Sequence, residues 1–186
     1  LAQHADGVIA LSGAKEGDVG RALLAGKQGL ARERLAHWMR VYPDRYYLEI
    51  QRTGREGDED HLHAAVALGA DQGCPVVATN DVRFMHQDQH EAHEARVCIG
   101  ESRTLDDPRR ARRYSDQQYF RSQHEMGELF ADVPEALANT VAIAQRCSVA
   151  IRLGEYFLPE YPIPRGKGMD EFFREISHRG LTERLE

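Results

Sequence analysis

The chain has 186 residues, with 24 Lys and Arg against 30 Asp and Glu, a formal net charge of -6 and 41% hydrophobic residues. That apolar fraction is enough for a core, and no run approaches the ~18 apolar residues of a spanning helix, which excludes a disordered chain and a membrane span. The negative balance also argues against wrapping nucleic acid by bulk charge, since phosphate binding needs clustered Lys and Arg, although a local basic patch stays open.

The start, Leu1-Ala2-Gln3-His4, has neither an initiating Met nor a basic segment, so it is no signal peptide, and both ends read as cut from a longer chain. Three apolar runs then read as strands, each bounded by Gly, Pro, Asn or Asp: Val8 to Leu11, Tyr46 to Ile50, and Val76 to Thr79. Asp18 to Ala25 and Leu30 to Met39 fill the first gap as helices, the second with Ala31, Leu35 and Trp38 on one face. Glu59 to Gln72 fills the next, with Leu62, Ala65, Val66 and Gly69 recurring at helical spacing. Strand, helix, strand in this rhythm predicts parallel βα units, and three of them cannot close a barrel alone.

After Asn80-Asp81 the pattern changes. Gln87 to Ile99 reads as a helix, Asp106 to Tyr119 as a polar Arg-rich loop, and Glu125 to Phe130 as a short helix. Asp132-Val133-Pro134-Glu135 offers a capping carboxylate, a Pro in the first turn and a Glu three residues on, starting a helix with Leu137, Val141 and Ala144 as its buried stripe. Gly154 to Gly168 carries Pro159, Pro162 and Pro164 with exposed Tyr156 and Tyr161, an extended linker. Asp170 to Leu185 is a last amphipathic helix, expected to bend or break at Gly180. Cys74, Cys98 and Cys147 are too widely spaced for a zinc knuckle and fit reduced, cytoplasmic thiols.

Asp81 is the best-placed candidate for chemistry, because strand C-terminal ends line the functional mouth of α/β barrels. With a His two residues on, it would be a reasonable metal ligand. Position 83 is Arg, which stays protonated and offers no lone pair, so pairing of Asp81 with Arg83 or capping by Asp81 is the competing account. His61 and His63 form an H-x-H inside a helical pattern, where the two side chains point to different faces. His86, His90, His93 and Glu94 share one helix at spacings found in zinc-binding helices, with a solvated polar face as the plainer reading. Arg109, Arg110, Arg112 and Arg113, flanked by Arg103 and Arg121, form the one basic cluster and could meet phosphates or an acidic partner, though Asp106 and Asp107 neutralise part of its field. Glycine-rich phosphate loops, G-x-S-x-G, C-x-x-C and a strand-borne D-x-D are absent, and Asp58-Glu59-Asp60 reads as compensation of a helix dipole.

Several consecutive motifs resemble the bacterial, proteobacterial-type DNA polymerase III alpha subunits: Leu11-Ser12-Gly13, Tyr47 to Arg55, Val76 to Phe84, Ala92 to Val97, Leu129 to Thr140, Leu153 to Pro159 and Gly180 to Leu185. The resemblance implies an α/β fold, a partial PHP-type distorted (β/α)7 barrel followed by helices and an extended linker. Residues 1 to 150 would be the C-terminal half of the PHP (polymerase and histidinol phosphatase) domain, and 151 to 186 the linker and first helix leading into the palm. Family members with a working metal site read L-S-G-C and N-D-V-H, with Cys, Asp and His as ligands. The matching positions here are Ala14, Asp81 and Arg83, which leaves a lone vestigial carboxylate and no intact metal site. The resemblance therefore implies a scaffold that docks the proofreading exonuclease subunit beside the other holoenzyme subunits, reaching DNA through the parent chain. Magnesium and catalytic carboxylates would belong to the parent polymerase, with no cofactor and no primer extension in this segment. The alternative is a phosphoesterase or proofreading exonuclease with a working PHP metal site. An isolated partial barrel would expose strand edges and aggregate or be molten.

Overall fold

The computed structural model describes residues 2–185, which fall into two compact units that divide between Ser148 and Val149. The first unit is built on three parallel strands, β1 (Ala10–Leu11), β2 (Tyr46–Gln51) and β3 (Val76–Thr79), in the order β1-β2-β3. The expected α/β class with parallel pairing is therefore present as a small sheet, and its described strands do not close into a barrel. β1 is shorter than the apolar run suggests. The shortfall is at its start, where Val8 is 46% exposed and its N–H donates to the Ala5 carbonyl at 3.3 Å; past Leu11 the Ser12 N–H still donates to the Tyr47 carbonyl at 3.0 Å, and its hydroxyl accepts the Glu49 amide at 2.9 Å.

Alternation along β2 sorts its two faces. Tyr46, Leu48 and Ile50 enter the apolar core with Val76 and Ala78 of β3. The opposite face is polar: Gln51 Nε2 donates to Glu49 and Thr79, both at 3.0 Å, and the Thr79 hydroxyl donates to Glu49 at 2.5 Å. The core is covered by α1 (Asp18–Leu24), α2 (Gln28–Val41) and α3 (Asp58–Gln72). As expected, Ala31, Leu35, Leu62 and Ala65 are buried, and Trp38 packs while donating its indole N–H to the Asp18 carboxylate at 3.0 Å. The turn between β1 and α1 is so tight that a Cβ on Gly17 would lie 1.7 Å from the Ser12 carbonyl oxygen, and one on Gly20 2.0 Å from that of Ala14.

Helices α4 (His90–Gly100), α5 (Gln123–Leu129) and α6 (Pro134–Arg146) follow. The residues ahead of α4, Gln87–Gln89, form a separate 3-10 turn rather than part of the helix. The cap expected from Asp132 is not made. Val133 holds the cap position of α6, and the Asp132 carboxylate instead receives Arg52 at 2.6 and 2.9 Å. The expected stripe on α6 is also displaced: Val141 is 58% exposed and Ala144 is exposed, because the helix meets β3 through Ala136, Asn139 and Thr140. Asn139 Nδ2 donates to the Val76 carbonyl at 2.8 Å, and the Thr140 hydroxyl to that of Ala78 at 3.3 Å. Two helix side chains thus satisfy carbonyls on the outer edge of β3.

The second unit is extended from residue 149 to 168 and then helical in α7 (Met169–Leu185). Tyr156 is 94% exposed and Tyr161 58%. Contrary to expectation α7 runs unbroken through Gly180; a single glycine costs a helix only about 1 kcal/mol. No described helix is long and apolar enough to cross a membrane.

Candidate functional site

The C-terminal ends of the three strands bring the candidate residues to one mouth. After β1, Gly13 and Ala14 both take left-handed backbone conformations (φ 75° and 46°), which turns the chain sharply, buries Ala14 and presents Lys15. After β2 come Arg52, Thr53, Gly54 and Arg55, and after β3 Asn80 and Asp81, the latter also left-handed at φ 43°. Such a conformation is uncommon outside glycine and persists where surroundings enforce it. Here residues 115–121 do so. Asn80 Nδ2 donates to the carbonyls of Gln117 and Tyr119 at 2.9 and 2.8 Å, and the fully buried Gln118 donates to the Asp81 carboxylate at 2.7 Å.

The Asp81 carboxylate is surrounded by cations of the chain itself. Arg83 lies 2.7 Å from one oxygen and Arg55 3.2 Å from the other. Arg83 is fixed from its other side by Tyr114, whose ring centroid is 5.2 Å from the guanidinium carbon. Arg55 also donates to Thr53 at 2.8 Å and Gln51 at 3.1 Å, joining the mouth to the polar face of the sheet. The pairing of Asp81 with Arg83 that the sequence offered as the competing account is thus made.

Beneath Arg55 is a buried ion pair that the sequence did not single out. Lys15 Nζ sits 2.7 Å from Asp58, whose carboxylate also accepts the Thr53 amide and hydroxyl, both at 2.8 Å, and the Arg55 amide at 3.2 Å. Burial pushes the Asp58 carboxyl up, but hydrogen bonds from Lys15 and Thr53 outweigh it and leave it below its ordinary value. The acidic start of α3 therefore does more than compensate a dipole. Nothing in local spacing reports this, because Lys15 lies 43 residues away in a turn fixed only by the fold.

The histidines do not assemble a metal centre. His61 is buried at 2% exposure, where burial pushes its pKa down, while His63 faces outward, as the helical spacing required. His90 and His93 pack on Phe84, ring centroids 5.9 and 5.6 Å apart, and His86 is exposed. Glu94 is buried against Arg110. Among the described residues no three His, Cys, Asp or Glu side chains converge closely enough to hold a metal. The Ala14 side chain supplies no donor atom and Arg83 no lone pair, so neither can join Asp81 in holding a divalent cation.

Most of the basic cluster is tied to the chain's own acids. Arg103 and Arg109 share Asp107, at 3.1 and 2.9 Å, and bonds from Arg109 hold that carboxyl down to about 2. Arg110 is buried on Glu94, Arg113 reaches Glu101 only at 3.8 Å, and Arg112 has no ion-pair partner among the described residues. Arg121 lies over the Tyr119 ring, 4.5 Å from its centroid. Arg112 and Arg113 line a cleft of about 550 Å³ at the mouth, in which Lys15, Arg55 and Arg83 also take part against Glu16, Glu56 and Asp81.

Comparison with known proteins gives consistent matches. The PHP domain family model matches residues 1–53. The chain is similar to the DNA polymerase III subunit alpha of Pseudomonas aeruginosa, 60% identical over 184 residues, 99% of this chain and 16% of the relative. The Escherichia coli K12 subunit is 54% identical over 180 residues, 97% of this chain, and the Xylella fastidiosa subunit 48% over 182 residues, 98% of this chain; each is covered over 15% of its own length. The chain therefore spans about a sixth of the curated relatives it matches.

Proposed function

The chain belongs to the DNA polymerase III subunit alpha family, and from that premise we propose that it is a PHP region retired from metal chemistry and kept as a scaffold on which the proofreading exonuclease subunit docks. The observation that carries this reading is the Asp81 carboxylate, held by Arg83, Arg55 and Gln118 at 2.7, 3.2 and 2.7 Å. Two guanidiniums place fixed positive charge where a divalent cation would sit, and like charges a few ångströms apart repel strongly in a partly buried site.

In this reading the longer chain performs template-directed DNA synthesis in chromosome replication, in the cytoplasm and with the other holoenzyme subunits. Magnesium and the catalytic carboxylates lie outside these residues, so the segment extends no primer. Further strands of the PHP domain pair on the outer side of β1, and residues 151–186 lead into the palm. A scaffold role needs rigidity at the mouth, which the buried Lys15–Asp58 pair and the Gln118 clamp supply.

The test is the affinity of the full-length polymerase subunit for the separately purified exonuclease subunit, with and without EDTA, beside a subunit lacking its PHP domain. The expected result is binding that EDTA leaves unchanged and that deletion of the domain removes. Binding that survives the deletion, or that a chelator abolishes, contradicts the proposal.

A further inference from the structure

We infer that residues 101–114 form a lid on the mouth, latched shut by Arg110 on Glu94 and by Tyr114 on His93, and that the lid opens when His93 takes up a proton.

The segment is tied to the rest of the chain by side chains. Its backbone hydrogen bonds stay within it or join it to the end of α4, as from Arg103 to the Cys98 carbonyl at 2.9 Å, Asp107 to that of Thr104 at 3.2 Å and Arg110 to that of Asp107 at 3.1 Å. It begins at the left-handed Ser102 (φ 53°) and ends where Ser115 donates its hydroxyl to the Thr53 carbonyl, close to the Gln118 clamp. Between these points Arg112, Arg113 and Tyr114 form one wall of the cleft of about 550 Å³. The Tyr114 ring carries Arg83 at 5.2 Å and meets the His93 ring nearly at right angles, centroids 4.7 Å apart. A lid that lifts therefore frees Arg83, the side chain that holds Asp81 from one side.

The latch is incompletely satisfied. The Arg110 and Glu94 side chains are 6% and 7% exposed, and their pairing leaves Arg110 Nε and Glu94 Oε1 buried without a hydrogen-bond partner. His90 Nε2 and His93 Nδ1, on the same helix as Glu94, are buried and unpartnered as well. Such atoms lack the hydrogen bonds that water gives them in an open state. Four of them on one helix and the segment packed against it bring the open state closer in free energy to the closed one.

The proton acts through His93, which lies between Phe84 and Tyr114 when the lid is shut. Burial holds its pKa below the ordinary 6.5; Glu94 opposes this, while Arg83, Arg96 and His90 add to it. A proton on the buried Nδ1 meets no acceptor. In the open state the ring faces water and binds the proton more tightly, so protonation favours opening. The contribution of His93 to closure is fully present above the open-state value of about 6.5 and is lost as pH falls through the lowered closed value.

The experiment exposes the full-length polymerase subunit to trypsin from pH 8 down to about pH 5.5. Mass spectrometry reads the initial rate of cleavage after Arg110, divided by the rate for a free peptide of residues 101–116 in the same buffer. Trypsin must take the Arg110 side chain into its own acidic pocket, so that bond is cut from the open state and the ratio reports the open population. The expected ratio is flat above pH 7 and rises at least about threefold by pH 5.5. In His93→Phe, which keeps an aromatic ring against Phe84 and Tyr114 and has nothing to titrate, it stays flat. Glu94→Gln removes the charge of the latch and is expected to raise the ratio about tenfold at every pH. A flat wild-type profile, or a rise that persists in His93→Phe, overturns the proton-driven opening, and an unchanged ratio in Glu94→Gln overturns the latch. Should His93→Phe lower the unfolding temperature, His93→Gln carries the same comparison.

Discussion

Asp58→Ala is expected to destabilise the first unit by about 3–5 kcal/mol, the cost typical of removing one partner from a buried ion pair. The Lys15 side chain is only 10% exposed and that of Asp58 5%. The substitution strands the Lys15 ammonium in a poorly solvated position and orphans the Thr53 amide and hydroxyl together with the Arg55 amide. Hydrogen exchange of the full-length subunit is the direct readout, with protection of residues 52–58 expected to fall by roughly 10²–10³-fold. Asp58→Asn separates the two contributions, since its amide oxygen still accepts from Thr53 but leaves the ammonium unpaired. The same pair sets a pH dependence. Because the folded carboxyl titrates below its ordinary value, its contribution is fully present above the unfolded pKa of about 3.9 and is lost as pH falls through the folded value. Unchanged protection in Asp58→Ala contradicts this account of the mouth.

Arg52→Ala is the second large effect, expected to cost about 2–4 kcal/mol. The side chain is 14% exposed and makes paired contacts with Glu59, at 2.9 and 3.1 Å, and Asp132, at 2.6 and 2.9 Å. It also donates to the Leu129 carbonyl at 2.7 Å and lies 5.4 Å from the centroid of the buried Phe130 ring. Hydrogen bonds to Asp132 and Glu59 raise its pKa further above an already high value. Both carboxylates are 56% exposed, so solvent screens the charge pairing itself, and much of the loss comes from the Leu129 carbonyl and the Phe130 contact. Arg52→Lys recovers only part of the loss, because an ammonium cannot serve two carboxylates and a carbonyl in this planar arrangement. Thermal unfolding and exchange of residues 123–133 report the effect, and a wild-type unfolding temperature in Arg52→Ala rules it out.

These two side chains show where reading the sequence reached its limit. Short-range patterns were legible: the apolar runs that became β2 and β3, the stripe of Ala31 and Leu35, and the opposite facing of His61 and His63 all follow from periods of 2 and 3.6 residues. The capping reading of Asp132 was locally sound and failed because Arg52, 80 residues earlier, offers that carboxylate two short hydrogen bonds. Val141 and Ala144 fit a buried stripe by composition, yet the helix turns Asn139 and Thr140 inward, because the edge carbonyls of β3 demand donors. At the mouth, the departures from the ligand pattern at Ala14 and Arg83 were visible by resemblance. The contributions of Arg55 and Gln118 were not, since each reaches Asp81 only after the loops have folded over the strand ends. In the arginine cluster only a field of charge is legible from residue order, and the fold divides it into side chains such as Arg110, spent on Glu94, and others such as Arg112, which has no ion-pair partner among the described residues.

A PHP region retired from metal chemistry requires that the guanidiniums of Arg83 and Arg55 stand where a cation would bind Asp81. The most direct test is metal uptake by chelator-stripped full-length subunit, titrated with zinc or manganese and compared with the Asp81→Asn variant, so that cations bound elsewhere cancel. The expected result is the same bound metal per chain in both proteins and no chelator-sensitive phosphatase activity in either. One equivalent of tightly held metal in the wild type that is missing from Asp81→Asn would contradict it.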